Sequence, residues 1–367
     1  MPYPLAACSP KGQQALSGIP YLLRDDFITD DAAPLASPRT CEPGPGTLTV
    51  YDPDNKLSIS GGQLIIAGKG ATGSPSLVSG GSYARVPGLA MLWDWPFNLT
   101  SVDTRAMLLS STNPSTGRMH GIRPSAGTTY IVGLGTADIL VADTHGSGVT
   151  NSQAVILRAA GAIYLVRNSG TAYKLIWVDN SLTNTPVYAS PVWQPVNTAA
   201  LLDNFHVLNL TALDSRFATD NGLATSVVAS PALNSTATHT ADCLIELTGK
   251  VPTADATSLL YRSTADAAGW RVDVNTDGNI YLQELNAGTT QRAAVAHGLA
   301  DEAAYRIVGV IEGNVHKWYV NNVLKITYTD AGNFQNTATA AKVLAVGTGD
   351  TLANLIAWPR TVTLPEV

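Results

Sequence analysis

The sequence predicts an all-β protein made of two tandem copies of one sandwich module. Three observations carry that expectation: a surplus of turn-forming residues, an apolar period of two, and an internal duplication. The acidic residues comprise 22 Asp but six Glu, and Gly (32) and Pro (21) are plentiful, so turn formers outnumber strong helix formers. Apolar residues make up 45% of the 367 and charged residues 14%, against roughly 25% charged in ordinary soluble domains. Such a chain has enough apolar surface to fold, and its length usually exceeds what one core can serve.

The period of two is plainest near the C-terminal end. Trp270, Val272 and Val274 alternate with polar residues up to an Asp277-Gly278 turn, and Ile280 and Leu282 resume the pattern, which reads as a hairpin. Tyr305–Ile311 and Val315–Val320 flank Gly313 as a second hairpin, and Val323–Tyr328 follows as another strand. Strands with turns at this spacing indicate a two-sheet jelly roll.

The duplication appears as short matches in constant order. Leu108-Leu109 answers Leu259-Leu260, and Gly127 with Tyr130 answers Gly278 with Tyr281, both at an offset of 151. His145-Gly146 answers His297-Gly298 and Gly161 answers Gly313 at 152, and Leu202 with Asn204 answers Leu352 with Asn354 at 150. The front edges, Asp26-Phe27 and Arg216-Phe217, lie 190 apart, so the first copy carries about 40 extra residues near 34–70. The expected organisation is an extended N-terminal arm at 1–23, a first module at 24–212 and a second at 213–367.

The order Arg24-Asp25-Asp26-Phe27, Asp54–Leu64, a hairpin with Gly-x-x-Tyr, Gln153–Arg158 and Leu202–Val207 resembles laminin-G-like, concanavalin A-like jelly-roll modules. Tandem copies of that kind are typical of bacteriophage virion and tail proteins. The resemblance implies a structural protein of the virion, assembled in the host cytoplasm, with other virion proteins as partners and the arm as a tether. A homo-oligomer is expected from the same resemblance.

Candidate sites are few. Asp273, Asn275, Asp277 and Glu284 satisfy the spacing of a calcium loop, but their flanks alternate as strands where that loop needs helices. An Asp-Gly hairpin is the favoured reading, with calcium as the alternative and no other cofactor expected. Trp93 and Trp95 stand two apart and would share a face of a strand, where they could stack on sugar rings or fill a core. His145 and His297 recur without an accompanying acid or nucleophile. Three cysteines, Cys8, Cys41 and Cys243, show no disulfide or zinc spacing.

A net charge of -6 gives no footprint for nucleic acid, no apolar run is long enough to span a membrane, and the first residues lack the pattern of a signal peptide. Six scattered Glu offer no close pair for a glycosidase, and Walker, serine-elbow and zinc-protease motifs are missing. The expectation is a non-catalytic tail or fibre component that binds a host surface glycan or protein. A ligand-free decoration or scaffolding protein and a polysaccharide-cleaving enzyme are the alternatives.

Overall fold

The computed structural model describes residues 21–365 apart from 68–76, 81–82, 85, 96–103, 110–117, 126–127, 133–138, 145–150, 160, 168–170, 180–187 and 196–199. The described residues form antiparallel strands in four sheets, with two short 3-10 turns, Leu210–Ala212 and Ser215–Ala218. Among them, no helix is long and apolar enough to cross a membrane.

The sheets make two tandem jelly-roll sandwiches with the same strand order. In sheet I the neighbours run Ala172–Val178, Ala162–Arg167, Asn151–Leu157, Leu89–Trp95 and Ala200–Asn209. Sheet III repeats this as Val323–Thr329, Val315–Val320, Ala304–Glu312, Cys243–Lys250 and Asn354–Pro359. Sheets II and IV correspond in the same way, with Ile139–Thr144, Thr128–Val132, Arg118–Ser125, Thr104–Leu109 and Tyr188–Pro195 answered by Thr289–Ala296, Asn279–Asn286, Ala268–Asn275, Ala256–Ala265 and Ala340–Ala345. Each strand lies about 150 residues from its counterpart, so the matched residues of the sequence fall at equivalent places.

The extra segment of the first copy supplies further strands. Leu57–Ser60 and Gln63–Ile66 form a hairpin that extends sheet I, turning at Gly61 and Gly62, both at positive φ where a side chain would be strained. Arg39–Thr40 and Thr47–Tyr51 extend sheet II. Buried Asp25 at the end of the first strand, Tyr21–Asp25, accepts Arg39 Nε at 3.2 Å and joins the two sheets.

Alternation drives the core of the second sandwich. Cys243, Ile245 and Leu247 of sheet III face Leu259, Trp270, Val272, Val274, Ile280 and Leu282 of sheet IV in one buried cluster. The intervening residues of sheet III are buried too. Leu244, Val308, Val310, Tyr319, Ile356 and Trp358 belong to the cluster of the first module, alongside Ile156, Leu165 and Leu175.

Polar groups fix that junction. Arg306 Nη2 donates to Glu246 Oε2 at 2.8 Å and to the Val178 carbonyl at 2.6 Å, with its guanidinium over the Trp177 ring. Lys174 pairs with Glu312 at 2.7 Å, and Arg158 lies over the Trp358 ring while donating to the Asp179 and Asp220 carbonyls. The chain then returns: Thr361–Thr363 pairs with Ala172–Lys174 as the outermost strand of sheet I. Residues 361–363, placed by sequence with the second module, therefore complete a sheet of the first.

Arg306→Ala would remove the guanidinium hydrogen-bonded to buried Glu246, so a loss of up to about 3–5 kcal/mol is expected by denaturant unfolding. The double variant Arg306→Met with Glu246→Gln should recover most of it.

Candidate functional site

Among the described residues, neither set singled out by sequence converges on a shared site. Trp93 is 1% exposed in the core of the first module, opposite Gln153, so its indole cannot stack on a sugar. The side chain of Trp95 lies outside the described residues. The four residues with calcium-loop spacing do not converge. Asp273 pairs across the hairpin with Tyr281, and Glu284 pairs with Trp270, three residues away on each strand, so the two carboxylates point to opposite faces of sheet IV. Asp273 meets Arg271 Nε at 3.2 Å, and Glu284 accepts Arg292 Nε at 2.9 Å. Asp277 caps the turn, accepting the Asn279 N–H at 2.9 Å and the Tyr281 hydroxyl. Buried His297 holds the same turn, with Nε2 at 3.0 Å from the Asn275 carbonyl and Nδ1 accepting the Leu299 N–H. His145 and Cys8 lie outside the described residues, while Cys41 and Cys243 are free and buried.

The structure instead assembles a polar row across one face of sheet I. Cross-strand partners share a face, and here they run Asp203 to Asp94, Asp94 to Ser152 and Ser152 to Arg167 over four adjacent strands. Arg167 Nη2 donates to Ser152 Oγ at 2.8 Å, and its guanidinium lies 4.9 Å from the centre of the Tyr173 ring on the next strand. His206 pairs with Leu92, two residues from Asp94, and so joins the same face.

A β-bulge makes this possible. Asp203 and His206 are three apart and would face opposite sides of a regular strand. The register shifts between them, with Asn204 at φ 50 in the left-handed region that Asn tolerates. Asn204 Nδ2 then donates to Asp94 Oδ2 at 2.8 Å, and its backbone N–H donates to Asp203 Oδ1 at 2.8 Å.

The adjoining strand Tyr21–Asp25 and Asp26 complete the cluster. His206 Nε2 lies 2.7 Å from Asp26 Oδ1, and Arg24 Nη2 donates to Asp26 Oδ2 at 2.7 Å. The Tyr21 ring stands edge-on to His206, and its buried hydroxyl has no hydrogen-bond partner among the described residues.

The carboxylates differ in surroundings. Burial pushes Asp203 up to about 6 against the pull of the Asn204 N–H, with the Asp94 and Asp26 charges adding to the rise. Burial would also raise Asp26, but hydrogen bonds from His206 and Arg24 hold it below the usual carboxylate range. Burial pushes the Tyr173 hydroxyl up to about 12. Asp94, Asp203, Asn204 and Arg167 are half-buried, whereas the next residues along the same face, Leu92, Ala154 and Leu165, are buried. The row is a polar, solvent-reaching margin on a closed apolar face.

Asp94 and Asp203 thus share a face as cross-strand partners, a pairing that the reading of the six Glu did not address. The signals were in the sequence as the Asp between the two tryptophans, the Asp-Asn-Phe-His run and the Asp-Asp-Phe run. Nothing in it connects residues 109 apart across a bulge.

No family model and no curated protein matches the chain. Solved structures resemble parts of it. Galectin LEC-6 of Caenorhabditis elegans is 12% identical over 36% of this chain and 94% of its own, with a TM-score of 0.30. Carbohydrate-binding module CBM66 from Bacillus subtilis is 18% identical over 37% and 80%, with a TM-score of 0.26. A chain described as an endo-acting O-glycanase of the human gut microbiota is 11% identical over 52% and 99%, with a TM-score of 0.36. These neighbours share the jelly-roll architecture, and the likeness is one of fold alone.

Asp203 binds a proton in the folded chain up to about pH 6 but in the unfolded chain only to about 4, so its ionisation costs stability as pH rises through that window. Asp203→Asn, which stays neutral, should melt higher than the parent at pH 8, with the gap closing by pH 4. Millimolar calcium should leave the melting temperature unchanged, because each group of the hairpin already has a protein partner.

Proposed function

We propose that this chain is an adhesion protein of a bacteriophage particle that binds a surface glycan at the polar row of sheet I. The observation that carries the proposal is the row itself. Planar donors and acceptors on Arg167, Asn204, Asp94, Asp203 and His206 alternate along a half-buried margin. Sugar hydroxyls donate and accept at once, and such paired groups satisfy both roles, while the half-buried Tyr21 ring gives apolar surface beside them.

The place on a virion rests on the pattern of tandem modules in the sequence, and an assembly of many copies would multiply a weak site into useful avidity. Other virion proteins and further copies of this chain would then be its partners. A second reading, lateral attachment to neighbouring virion proteins, is favoured by the outer strand of sheet III. There Val323 and Leu324 are exposed at 55% and 47% on an edge whose backbone is open to another strand.

A glycan array probed with the full chain on multivalent beads tests the binding. Retention on a defined glycan family is expected, and Arg167→Ala, which removes a charge-assisted donor, should weaken it about tenfold or more. Silence across the array, or equal retention by the variant, would count against the row as the site.

A further inference from the structure

We infer that the outer edge of the second module pairs with the same edge of a second copy of this chain, the two Val323–Thr329 strands joining antiparallel about a two-fold axis. The inference names the partner for the lateral-attachment reading above and rests on it.

The first copy shows what this edge accepts. Its equivalent outer strand, Ala172–Val178, is covered by Thr361–Thr363, with Tyr173 opposite Val362 and the Leu175 N–H donating to the Arg360 carbonyl at 2.7 Å. A bulge marks the equivalence. Pairing shifts between Tyr164 and Leu165 in the first copy and between Trp318 and Tyr319 in the second, so Leu175 and Leu324 are each the first partner beyond it. Leu175 is fully buried, whereas Leu324 is 47% exposed and Val323 beside it 55%. The edge that the chain closes in one copy is bare in the other. By the same equivalence, the Leu324 N–H is the donor that an added strand engages.

The adjoining layer is open as well. Thr289–Ala296, the outer strand of sheet IV, lies beside Val323–Thr329, and its residues are exposed except for half-buried Ala293. Strands of seven and eight residues run about 23–27 Å. With sheets roughly 10 Å apart, the end of the sandwich and its side chains present on the order of 600 Å2. Two such faces reach the roughly 1,200 Å2 at which specific interfaces begin.

The pattern of the strand favours its own copy as the partner. Neither outer strand contains proline, and each carries a single charged residue, Lys325 and Arg292. Arg292 is already engaged by Glu284 at 2.9 Å. With the axis at Ile326, antiparallel pairing sets Val323 against Thr329 of the second copy, Leu324 against its Tyr328 and Lys325 against its Thr327. The exposed apolar residues then meet a β-branched and an aromatic side chain, and no lysine faces itself. The bulge is no obstacle, since the first copy pairs directly beyond the same feature. Such pairing uses up the edge on both copies and closes, whereas a strand added from one side leaves a new edge.

The test is sedimentation of the full chain over a range of micromolar concentrations, where the mass of two chains is expected. The double variant Val323→Lys with Leu324→Lys alters residues exposed in the single chain and should weaken the dimer about tenfold or more. Leu324→Pro, which removes the outward donor, should do the same. Val227→Lys, on the opposite edge of sheet III, should leave the dimer unchanged. Hydrogen exchange over residues 323–329 should slow as the parent dimerises but not in the lysine variant, and circular dichroism verifies that each variant folds. A parent that stays monomeric, or a dimer that Val227→Lys breaks and the lysine pair does not, overturns self-pairing. A synthetic peptide of residues 358–365, the chain's own covering strand, separates that failure from failure of the attachment reading. If the peptide slows exchange over 323–329 in a monomeric parent, the edge still takes a strand from another protein. If it does not, both readings fall.

Discussion

Sandwich sheets ordinarily keep one face in water, but the central strands of sheet III are buried on both. Along Cys243–Lys250 the odd residues Cys243, Ile245 and Leu247 enter the core of the second module, while Leu244 and Glu246 lie against the first. The Arg306 and Glu246 pair at this junction is costly to remove from water, and it is compensated by the Val178 carbonyl and the face of Trp177. With the returning strand Thr361–Thr363 added to sheet I, the copies are joined through side chains and through backbone hydrogen bonds. Two modules that could have been beads on a string share a buried apolar junction.

This union decides where polar chemistry can occur. Leu92, Ala154 and Leu165 continue the face of the polar row and are buried, so the row is confined to the margin of a closed surface. A margin suits recognition, since partial burial strengthens each hydrogen bond while the groups still reach solvent. It also perturbs ionisation, as the raised Asp203 shows. The equivalent strands of the second copy carry Leu244, Glu246, Arg306 and Trp358 into the junction, so duplication of the fold has not duplicated the row.

Much of the fold was legible because it follows from local pattern. Alternation around Asp277-Gly278 identified the hairpin, and the offset near 150 identified the copies, whose strand orders agree. The candidate site was not legible in this way. Trp93-Asp94-Trp95 drew attention to its indoles, whereas Trp93 is core and Asp94 between them faces the row. The calcium-loop spacing between residues 273 and 284 lost its meaning once the chain was extended, because a spacing that converges in a loop between helices diverges across the two faces of a sheet.

Composition and periodicity by themselves determined an all-β chain with two related modules and turns at their glycines, since each of these depends on residues near in sequence or on repetition. Tertiary structure alone decided which face of each strand is covered, that the last strand belongs to the first module, and that Asp94, Asp203 and His206 meet. The physical reason is the bulge at Asn204 together with the pairing of strands more than a hundred residues apart. A single left-handed residue reverses which side chains share a face, and its cost is offset only where the partner strand supplies Asp94 to receive its amide.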